Sequence, residues 1–279
     1  MKKFFVLLLA VCLMLSAFTG CAPANVAEEP SPSESVVDTE KDESWEYIKA
    51  NGKLIMGMDD SFPPMGFRDE GGNLVGFDVD LAKEVAARLE VELVLQAIDW
   101  GAKEMELDAK KIDVIWNGFT ITDERKENVL FSDPYMENSQ VVVVKEGSDI
   151  NVLSDLAGKK VAVQDGSSAQ GALEKDTELY ESIGEKIDFG NNVSALMDLK
   201  IDKVDAVAVD IVVAQYYMTQ EEGIYRILDE HLAPEEFGIG FRKGDVAFRD
   251  AVQQAINDMK ADGKAEEISN LWFGENIIK

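Results

Sequence analysis

The sequence predicts an α/β protein with two compact lobes and largely parallel sheets, and three features of the 279-residue chain indicate this class. Beyond Trp45, apolar runs of strand length alternate with segments whose apolar residues recur at helical spacing. The length exceeds what one ordinary hydrophobic core holds, even after a leader is removed. The apolar run 205–210 ends in Asp210, at the kind of strand end where open α/β sheets place binding groups.

Residues 1–20 are predicted to be a lipoprotein signal peptide. Lys2 and Lys3 precede an apolar run, 4–18, that is too short for a comfortable bilayer span. The following stretch, Phe18-Thr19-Gly20-Cys21, resembles a bacterial lipobox, so we expect cleavage before Cys21 and a diacylglycerol on its thiol. The alternative is ordinary secretion with an incidental Cys21. Cleavage leaves one cysteine, already lipidated, so no disulfide is expected.

Residues 21–44 are predicted to be a flexible tether. The segment is rich in Ala, Pro, Ser, Glu and Asp and has almost no periodic apolar residues, so it cannot bury enough surface to fold. A lipid followed by such a spacer would hold a globular body on the extracytoplasmic face of the cell membrane.

The folded part begins with a strand at 54–58 and a helix whose apolar stripe is Phe77, Leu81, Val85 and Leu89. Further apolar runs predict strands at 93–95, 114–116, 141–144, 161–163 and 205–210, with helical stretches between most of them. The strand context of Trp116 favours a core position for this side chain. Helical stripes at 248–259 and 268–273 close the chain.

The charge balance and the residue inventory exclude several classes of protein. With 27 basic and 54 acidic residues, the net charge of -27 disfavours nucleic acid and anionic lipid head groups. His231 is the only histidine, so neither a histidine-based triad nor a multi-histidine metal site can be assembled. We expect His231 to lie on a surface turn near Pro234. Because no phosphate-binding glycine loop or metal-ligand spacing occurs either, we expect no cofactor and no metal.

Four segments, in this order and spacing, resemble the polar amino-acid branch of the periplasmic-type solute-binding proteins, solute-binding protein family 3. They are Ser61-Phe62-Pro63-Pro64-Met65-Gly66-Phe67, Gly76-Phe77-Asp78-Val79-Asp80-Leu81-Ala82, Gly118-Phe119-Thr120-Ile121-Thr122-Asp123-Glu124-Arg125 running on to Phe131-Ser132-Asp133-Pro134-Tyr135, and Gly238-Ile239-Gly240-Phe241-Arg242-Lys243-Gly244-Asp245. The resemblance covers essentially everything after the tether. It implies a two-lobe α/β clamp of type II, with lobe 1 at 45–139 plus 237–279, lobe 2 at 140–236, and a two-strand hinge near 140–145 and 237–242.

The resemblance also implies a ligand cage for a free amino acid, which must satisfy both charges of a zwitterion. Arg125 would grip the α-carboxylate in a bidentate fork, a geometry that lysine cannot copy. The amide of Thr120 would donate to the same carboxylate, and Ser168 would close over it from the other lobe. Taken alone, an arginine in the context of Arg125 is more often a solvated charge at a helix start.

Asp210 is the position that the resemblance assigns to the α-ammonium group, with the Gly118 carbonyl and the Thr120 hydroxyl completing three acceptors for three donors. The alternative for Asp210 is an N-cap of the helix that follows, and both roles can coexist.

Aromatic residues are predicted to enclose the aliphatic part of the ligand. Phe62 matches the stacking position of the family, and Trp100 falls at a pocket position where relatives often carry a smaller aliphatic residue. The remaining predicted ligand-binding residues are Asn117, Gln164 and Ser167. Glu104 and Asp165 are candidates for reading a basic or amide side chain.

The resulting prediction is an extracytoplasmic lipoprotein that binds a polar amino acid and delivers it to the permease and ATPase complex of an ABC importer. We expect a monomer anchored to the membrane by its N-terminal lipid. The alternatives are an enzyme similar to the cyclohexadienyl dehydratases of this fold, an amino-acid sensor subunit and a purely structural surface lipoprotein. A sensor would need a transmembrane segment after the clamp, and the sequence as given ends at Lys279 without one.

Overall fold

A computed structural model describes residues 41–279. The predicted signal peptide, Cys21 and the tether up to residue 40 lie outside the described residues. Within 41–279, none of the helices combines the length and the apolar character needed to cross a membrane.

The described chain alternates strands and helices. The strands are β1 Lys53–Met58, β2 Ser61–Phe62, β3 Gly66–Arg68, β4 Leu74–Val75, β5 Glu92–Ala97, β6 Val114–Ile115, β7 Val129–Phe131, β8 Met136–Lys145, β9 Lys160–Gln164, β10 Glu185–Phe189, β11 Ala206–Asp210, β12 Tyr225–Phe237 and β13 Gly240–Arg242. The α-helices are α1 Ser44–Asn51, α2 Phe77–Arg88, α3 Lys103–Asp108, α4 Asp123–Asn128, α5 Ser168–Lys175, α6 Thr177–Ser182, α7 Asn192–Lys200, α8 Ile211–Gln220, α9 Val246–Ala261 and α10 Lys264–Phe273. Two short 3-10 helices lie at Trp100–Ala102 and Leu153–Leu156.

The strands form two separate five-stranded sheets, which confirms the two-lobe α/β prediction. The first has the order β5-β1-β6-β13-β7, and the second has the order β10-β9-β11-β8-β12. In each sheet three strands are parallel, and the remaining two run antiparallel to their neighbours. We call the first sheet, with α1 to α4, α9, α10 and the small sheet β2-β3-β4, the first lobe. The second lobe is the second sheet with α5 to α8.

The first lobe is built on a strand that is buried on both faces and a helix with one apolar face. In β1, Leu54, Met56 and Met58 have almost no exposed surface. Helix α2 buries Phe77, Leu81 and Val85, as the apolar spacing predicts. The core reading of Trp116 is also correct, since its side chain is fully buried.

The last two helices return to the first lobe. Phe248 of α9 stacks on Trp45 at a centroid distance of 6.2 Å and meets Phe241 of β13 edge-on at 5.4 Å. Phe273 of α10 packs edge-on against Phe77 of α2 at 5.1 Å. These aromatic contacts join the C-terminal segment to the lobe that the chain builds first.

A two-stranded ribbon lies where the chain passes between the sheets. Within the second sheet, residues 136–139 of β8 pair with residues 234–237 of β12 alone, whereas β11 pairs with β8 from Gln140 onward; Met136 also forms an isolated bridge with Ile278. We call this paired segment the hinge ribbon. The sequence placed the first hinge segment at 140–145, but those residues lie inside the second sheet. The predicted lobe boundaries fall at the ends of the ribbon and stay a prediction.

His231 does not lie in a turn, contrary to the sequence interpretation. It is exposed, but it lies within β12, where its register with β8 is irregular, and its Nδ1 is 2.8 Å from the Ser139 hydroxyl. Because β12 is an edge strand, it tolerates Pro234, which had suggested the turn.

Candidate functional site

Most of the predicted ligand-binding residues follow the carboxyl ends of strands. Gln164 and Asp210 are the last residues of β9 and β11 in the second lobe. In the first lobe, Phe62 lies shortly after β1, Trp100 follows β5, and Thr120 follows β6. The parallel strands of each lobe therefore direct these side chains to one edge of their sheet.

The two edges face each other and are in contact. The hydroxyls of Thr120 and Ser168 lie 3.0 Å apart, although they belong to different lobes. Gln164 of the second lobe donates from Nε2 to Oδ2 of Asp59 in the first lobe at 2.7 Å. Direct side-chain contacts thus close the cleft, and the predicted site lies at this junction.

Arg125 lies at the start of α4, where the Thr122 hydroxyl caps the helix by accepting from the Arg125 amide at 3.1 Å. Its side chain is 9% exposed, so the alternative of a solvated surface charge does not hold. Nη1 donates to the Thr120 carbonyl at 2.8 Å, and Nη2 donates across the cleft to the Gly166 carbonyl at 3.2 Å. The guanidinium also stacks on the Phe119 ring, 4.6 Å from its centroid. Burial lowers the pKa of this group.

Asp210 occupies the N-cap position of α8, but its side chain makes no capping hydrogen bond. Instead Oδ1 accepts from Asn138 Nδ2 at 2.7 Å and from Gln140 Nε2 at 2.6 Å, both on β8. The carboxyl is only 4% exposed, and burial, followed by the charge of Glu235, raises its pKa to about 7. The capping alternative is therefore wrong for this side chain, which is aimed at β8.

Gly118 has a φ of +56°, and a Cβ there would lie 2.7 Å from the Phe62 ring. Its amide donates to Oδ2 of Asp78 at 2.7 Å, and this carboxyl also accepts from the Tyr135 hydroxyl at 3.0 Å. Burial raises the pKa of Asp78 to about 7. The buried carboxyl group fixes the backbone at Gly118. Phe62 packs directly over that backbone, so the structure brings these two predicted residues together.

Asn117 and Ser167 each accept a hydrogen bond from a backbone amide of their own lobe. Oδ1 of Asn117 accepts from the amide of Asp59 at 3.1 Å, while its Nδ2 is buried without a partner. The Ser167 hydroxyl caps α5 by accepting from the Gln170 amide at 3.1 Å. Their ligand-binding roles stay predictions.

Trp100 is 7% exposed and meets Phe119 edge-on at 5.9 Å. Beside it lies Lys103, which is buried and donates to the carbonyls of Trp100 at 3.1 Å and of Gly166 at 2.9 Å. Burial, followed by the charge of Arg125, lowers the pKa of Lys103 to about 8. Lys103 and Arg125 therefore reach the same carbonyl of the opposite lobe.

Five polar residues of this junction were missed by sequence reasoning: Asp59, Lys103, Asn138, Gln140 and Glu235. Asp59 directly follows β1, and the strand-end signal that marked Asp210 could have found it. Glu235 lies opposite Asn138 in the hinge ribbon. Nothing local distinguishes Glu235 from the other acidic residues of a chain that has 54 Asp and Glu residues in total. Of the two candidates for reading a side chain, Asp165 is exposed and Glu104 is partly buried, and both act on Lys103 through space.

Comparison with known proteins gives a family match over nearly all of the described chain. The family model for bacterial extracellular solute-binding proteins, family 3, matches residues 54–275. This range contains every predicted ligand-binding residue and both five-stranded sheets except Lys53, the first residue of β1.

Individual proteins are also similar to this chain. The arginine-binding extracellular protein ArtP of Bacillus subtilis (strain 168) is 34% identical over 276 residues, covering 98% of each chain. The L-cystine-binding protein TcyJ of Escherichia coli (strain K12) is 32% identical over 234 residues, covering 83% of this chain and 86% of that protein. A solved structure, an ABC uptake transporter substrate-binding protein from Streptococcus pneumoniae with bound histidine, superposes with a TM-score of 0.83 at 38% identity. That match covers 86% of this chain and 100% of the other.

Proposed function

We propose a function from one premise: the chain belongs to the bacterial extracellular solute-binding proteins, family 3. We infer that it binds one free polar amino acid between its lobes and delivers it to an ABC importer. The relatives named above are an arginine-binding and a cystine-binding protein, and the solved neighbour carries histidine.

One observation carries the proposal: opposite charges are buried on facing lobes at a junction of the two sheets. Arg125 belongs to the first lobe and Asp210 to the second, and both are at least nine-tenths buried. Thr120 accepts from Arg125 through its carbonyl, and its hydroxyl lies 3.0 Å from Ser168. A zwitterion with adjacent carboxylate and ammonium groups would pair with both charges at once.

Binding would favour the closed clamp, because a ligand held by both lobes binds the closed state more tightly than the open one. Arg125 would exchange its carbonyl acceptors for the ligand carboxylate, and Asp210 would receive the ammonium. Phe62 and Trp100 would cover the aliphatic part of the ligand, while Ser168 would close over the carboxylate. Asn117, Gly118, Gln164 and Ser167 would line the remaining wall.

We further propose that Cys21 carries a lipid and that residues 21–44 tether the clamp to the extracytoplasmic face of the membrane. In this proposal the protein is a monomer that presents its closed form to the permease and ATPase complex. Growth in radiolabelled palmitate, with Cys21→Ala as the control, tests the anchor. Label on the variant equal to that on the wild type would contradict it.

The ligand is tested by thermal shift of the full-length protein in detergent, stripped of ligand, against the twenty amino acids and cystine. A ligand at 100 times its dissociation constant stabilises the protein by about 2.7 kcal/mol. We expect Arg125→Ala and Asp210→Ala to abolish every shift. The exposed charges Lys126 and Asp202 supply matched controls, Lys126→Ala and Asp202→Ala, which should retain the shifts. Unchanged shifts in both buried-charge variants would overturn the proposed cage.

The identity of the ligand should depend on the aromatic wall. Trp100→Ala is expected to change the ranking of the amino acids that respond, but not to abolish binding, because the described contacts of Trp100 are with Phe119 and Lys103 rather than with the two charged groups of the proposed cage. We also propose that the protein has no catalytic role. Incubation with prephenate and arogenate should give no turnover, and product formation would favour the dehydratase-like alternative.

A further inference from the structure

The hinge ribbon carries a carboxylate at the junction of the lobes that the proposed cage does not use. Oε2 of Glu235 accepts from Gln140 Nε2 at 2.8 Å, from Thr120 Oγ1 at 3.0 Å and from Asn138 Nδ2 at 3.3 Å. Thr120 belongs to the first lobe, whereas Gln140 lies in the second sheet. Glu235 is therefore in contact with both lobes from the element that joins them.

Glu235 and Asp210 share their hydrogen-bond donors. The same two nitrogens, Gln140 Nε2 and Asn138 Nδ2, also donate to Oδ1 of Asp210, at 2.6 and 2.7 Å. Two carboxylate oxygens that lie within hydrogen-bond distance of one nitrogen are close neighbours. Two carboxyl groups are thus held together at a poorly solvated position, where ionising both is unfavourable unless a cation joins them.

Within the described residues, no protein cation forms an ion pair with either carboxylate. Among the ion pairs found within residues 41–279, none includes Asp210 or Glu235. Arg125 affects both through space, but its hydrogen bonds go to backbone carbonyls. The nearest donors to the two carboxylates are neutral amides and a hydroxyl.

The cluster around Asp210 and Glu235 has more hydrogen-bond acceptors than donors. Because the amide nitrogens of Asn138 and Gln140 serve the carboxylates, their carbonyl oxygens, Oδ1 and Oε1, remain buried without a hydrogen-bond partner. A group with three donors and one positive charge would supply what this cluster lacks, and an ammonium group has both properties.

We propose that Glu235 and Asp210 together form a two-carboxylate subsite for the α-ammonium group of the ligand. This inference rests on the proposed function and extends it, because it adds a hinge residue to the cage and gives the ammonium subsite two negative charges. The ligand ammonium would bind to the second lobe and the hinge ribbon at once. Binding would thereby be coupled to the element that changes when the clamp closes.

Glu235→Gln separates this role from a structural one. Glutamine keeps an oxygen that accepts from Thr120, Asn138 and Gln140 but removes the charge, so a purely structural acceptor would be replaced with little loss. Glu236→Gln is the matched control, since Glu236 is the next residue of the ribbon and pairs with Lys279 rather than with the cluster.

Isothermal titration calorimetry of the full-length, ligand-stripped protein at pH 8 tests the subsite with L-arginine, L-histidine, L-glutamine and L-cystine. For each probe that binds the wild type, Glu235→Gln should weaken binding about tenfold or more, the size of one lost charge-assisted hydrogen bond. Glu236→Gln should stay within about twofold. A Glu235→Gln affinity within twofold of the wild type, or a loss confined to L-arginine, would overturn the assignment to the α-ammonium.

The pH dependence gives a second readout that a structural role would not move. The charged groups facing Asp210 are Glu235 from the ribbon and Arg125 from α4, while β8 contributes neutral amides. Because the ligand ammonium needs the ionised carboxylate, wild-type affinity should fall by up to about tenfold per pH unit below pH 7. Without the charge of Glu235, the pKa of Asp210 should be lower and the fall should begin at a lower pH. Parallel profiles for wild type and Glu235→Gln would contradict the proposal.

The two proposals fail in distinguishable ways. If no amino acid, including those outside the four probes, binds to the wild type, both the proposed function and the two-carboxylate subsite are overturned. If the wild type binds an amino acid and Glu235→Gln behaves like Glu236→Gln, only the subsite is overturned.

Discussion

The two sides of the cleft carry opposite charges and hold them in different ways. On the first lobe, Arg125 and Lys103 donate to the same acceptor on the opposite lobe, the carbonyl of Gly166. On the other side, Asp210 and Glu235 accept from amide groups of β8, close to them in the hinge ribbon and second sheet. The cations therefore already bind across the cleft, whereas the carboxylates accept mainly from donors on their own side of it.

This difference gives the two sides different roles in closure. A cation that donates to the opposite lobe stabilises the closed arrangement even before a ligand carboxylate is present. The paired carboxylates repel each other, so they favour a cation from solution and contribute little to closure alone. The cationic side should then determine how readily the lobes meet, and the anionic side should determine how much the ligand adds.

The largest expected effect on the cationic side comes from Arg125→Lys. The guanidinium donates in two directions and stacks on Phe119, and one ammonium group cannot reproduce that geometry. We expect affinity for the preferred amino acid to fall about 100-fold, or about 2.8 kcal/mol, in calorimetry. The control is Arg88→Lys, at a surface ion pair with Glu84 and Asp262. Retention of affinity within about threefold in Arg125→Lys would contradict a bidentate role.

On the anionic side, Asp210→Asn should stabilise the ligand-free protein at high pH. The pKa of Asp210 is raised from 3.8 to about 7, so the folded state holds this proton more tightly than the unfolded state. The carboxyl therefore costs stability as the pH rises from about 4 through 7. In urea unfolding, Asp210→Asn should exceed the wild type by on the order of 1–3 kcal/mol at pH 8 and match it near pH 4. Equal stability at pH 8 would mean that the buried charge is compensated in the free protein.

The sequence predicted strands well where a strand is buried on both faces. The runs 54–58 and 161–163 lie within β1 and β9, because strands covered on both sides are continuously apolar. A two-strand hinge was predicted, but the residues that form the hinge ribbon were missed as strand for the opposite reason. Residues 137–139 are polar and point into the site or to solvent, so the apolar pattern did not mark them as strand. The strand was therefore predicted to begin at 141, although β8 begins at Met136. Strand β12 contains Pro234, near which the sequence predicted a surface turn.

Prediction of the site residues from the sequence is limited in a similar way. Arg125 and Asp210 could be named because a motif or a strand end marks each position. Lys103 and Glu235 could not, since Lys103 resembles an exposed residue of a charged helix, and Glu235 lies in an acidic stretch. Only the packing of two lobes buries these groups, and the contacts responsible join residues far apart in the chain, such as Lys103 with Gly166 and Thr120 with Glu235.

The smallest expected effect belongs to Lys103, and it gives the sharpest comparison of the two sides. Lys103→Met keeps the approximate length of the side chain but removes the bond to the Gly166 carbonyl. We expect affinity to fall about tenfold at pH 7. The pKa of Lys103 is lowered to about 8, so the wild type should lose this advantage as the pH rises through 8, whereas Lys103→Met should not.

The measurement is the ratio of the wild-type affinity to the Lys103→Met affinity, obtained by calorimetry from pH 7 to 9. Because the amino acid itself titrates identically with both proteins, its titration cancels from this ratio. A ratio that falls towards one would show that the protonated lysine supports closure. A constant ratio would mean that the Lys103→Met substitution disturbs packing instead. Asp210 should lose its contribution to affinity as the pH falls below about 7, and Lys103 as the pH rises through about 8, because a carboxylate binds the ligand ammonium only when ionised and an amine supports closure only when protonated. The pH range of tight binding would then be bounded on its two sides by residues from opposite faces of the cleft.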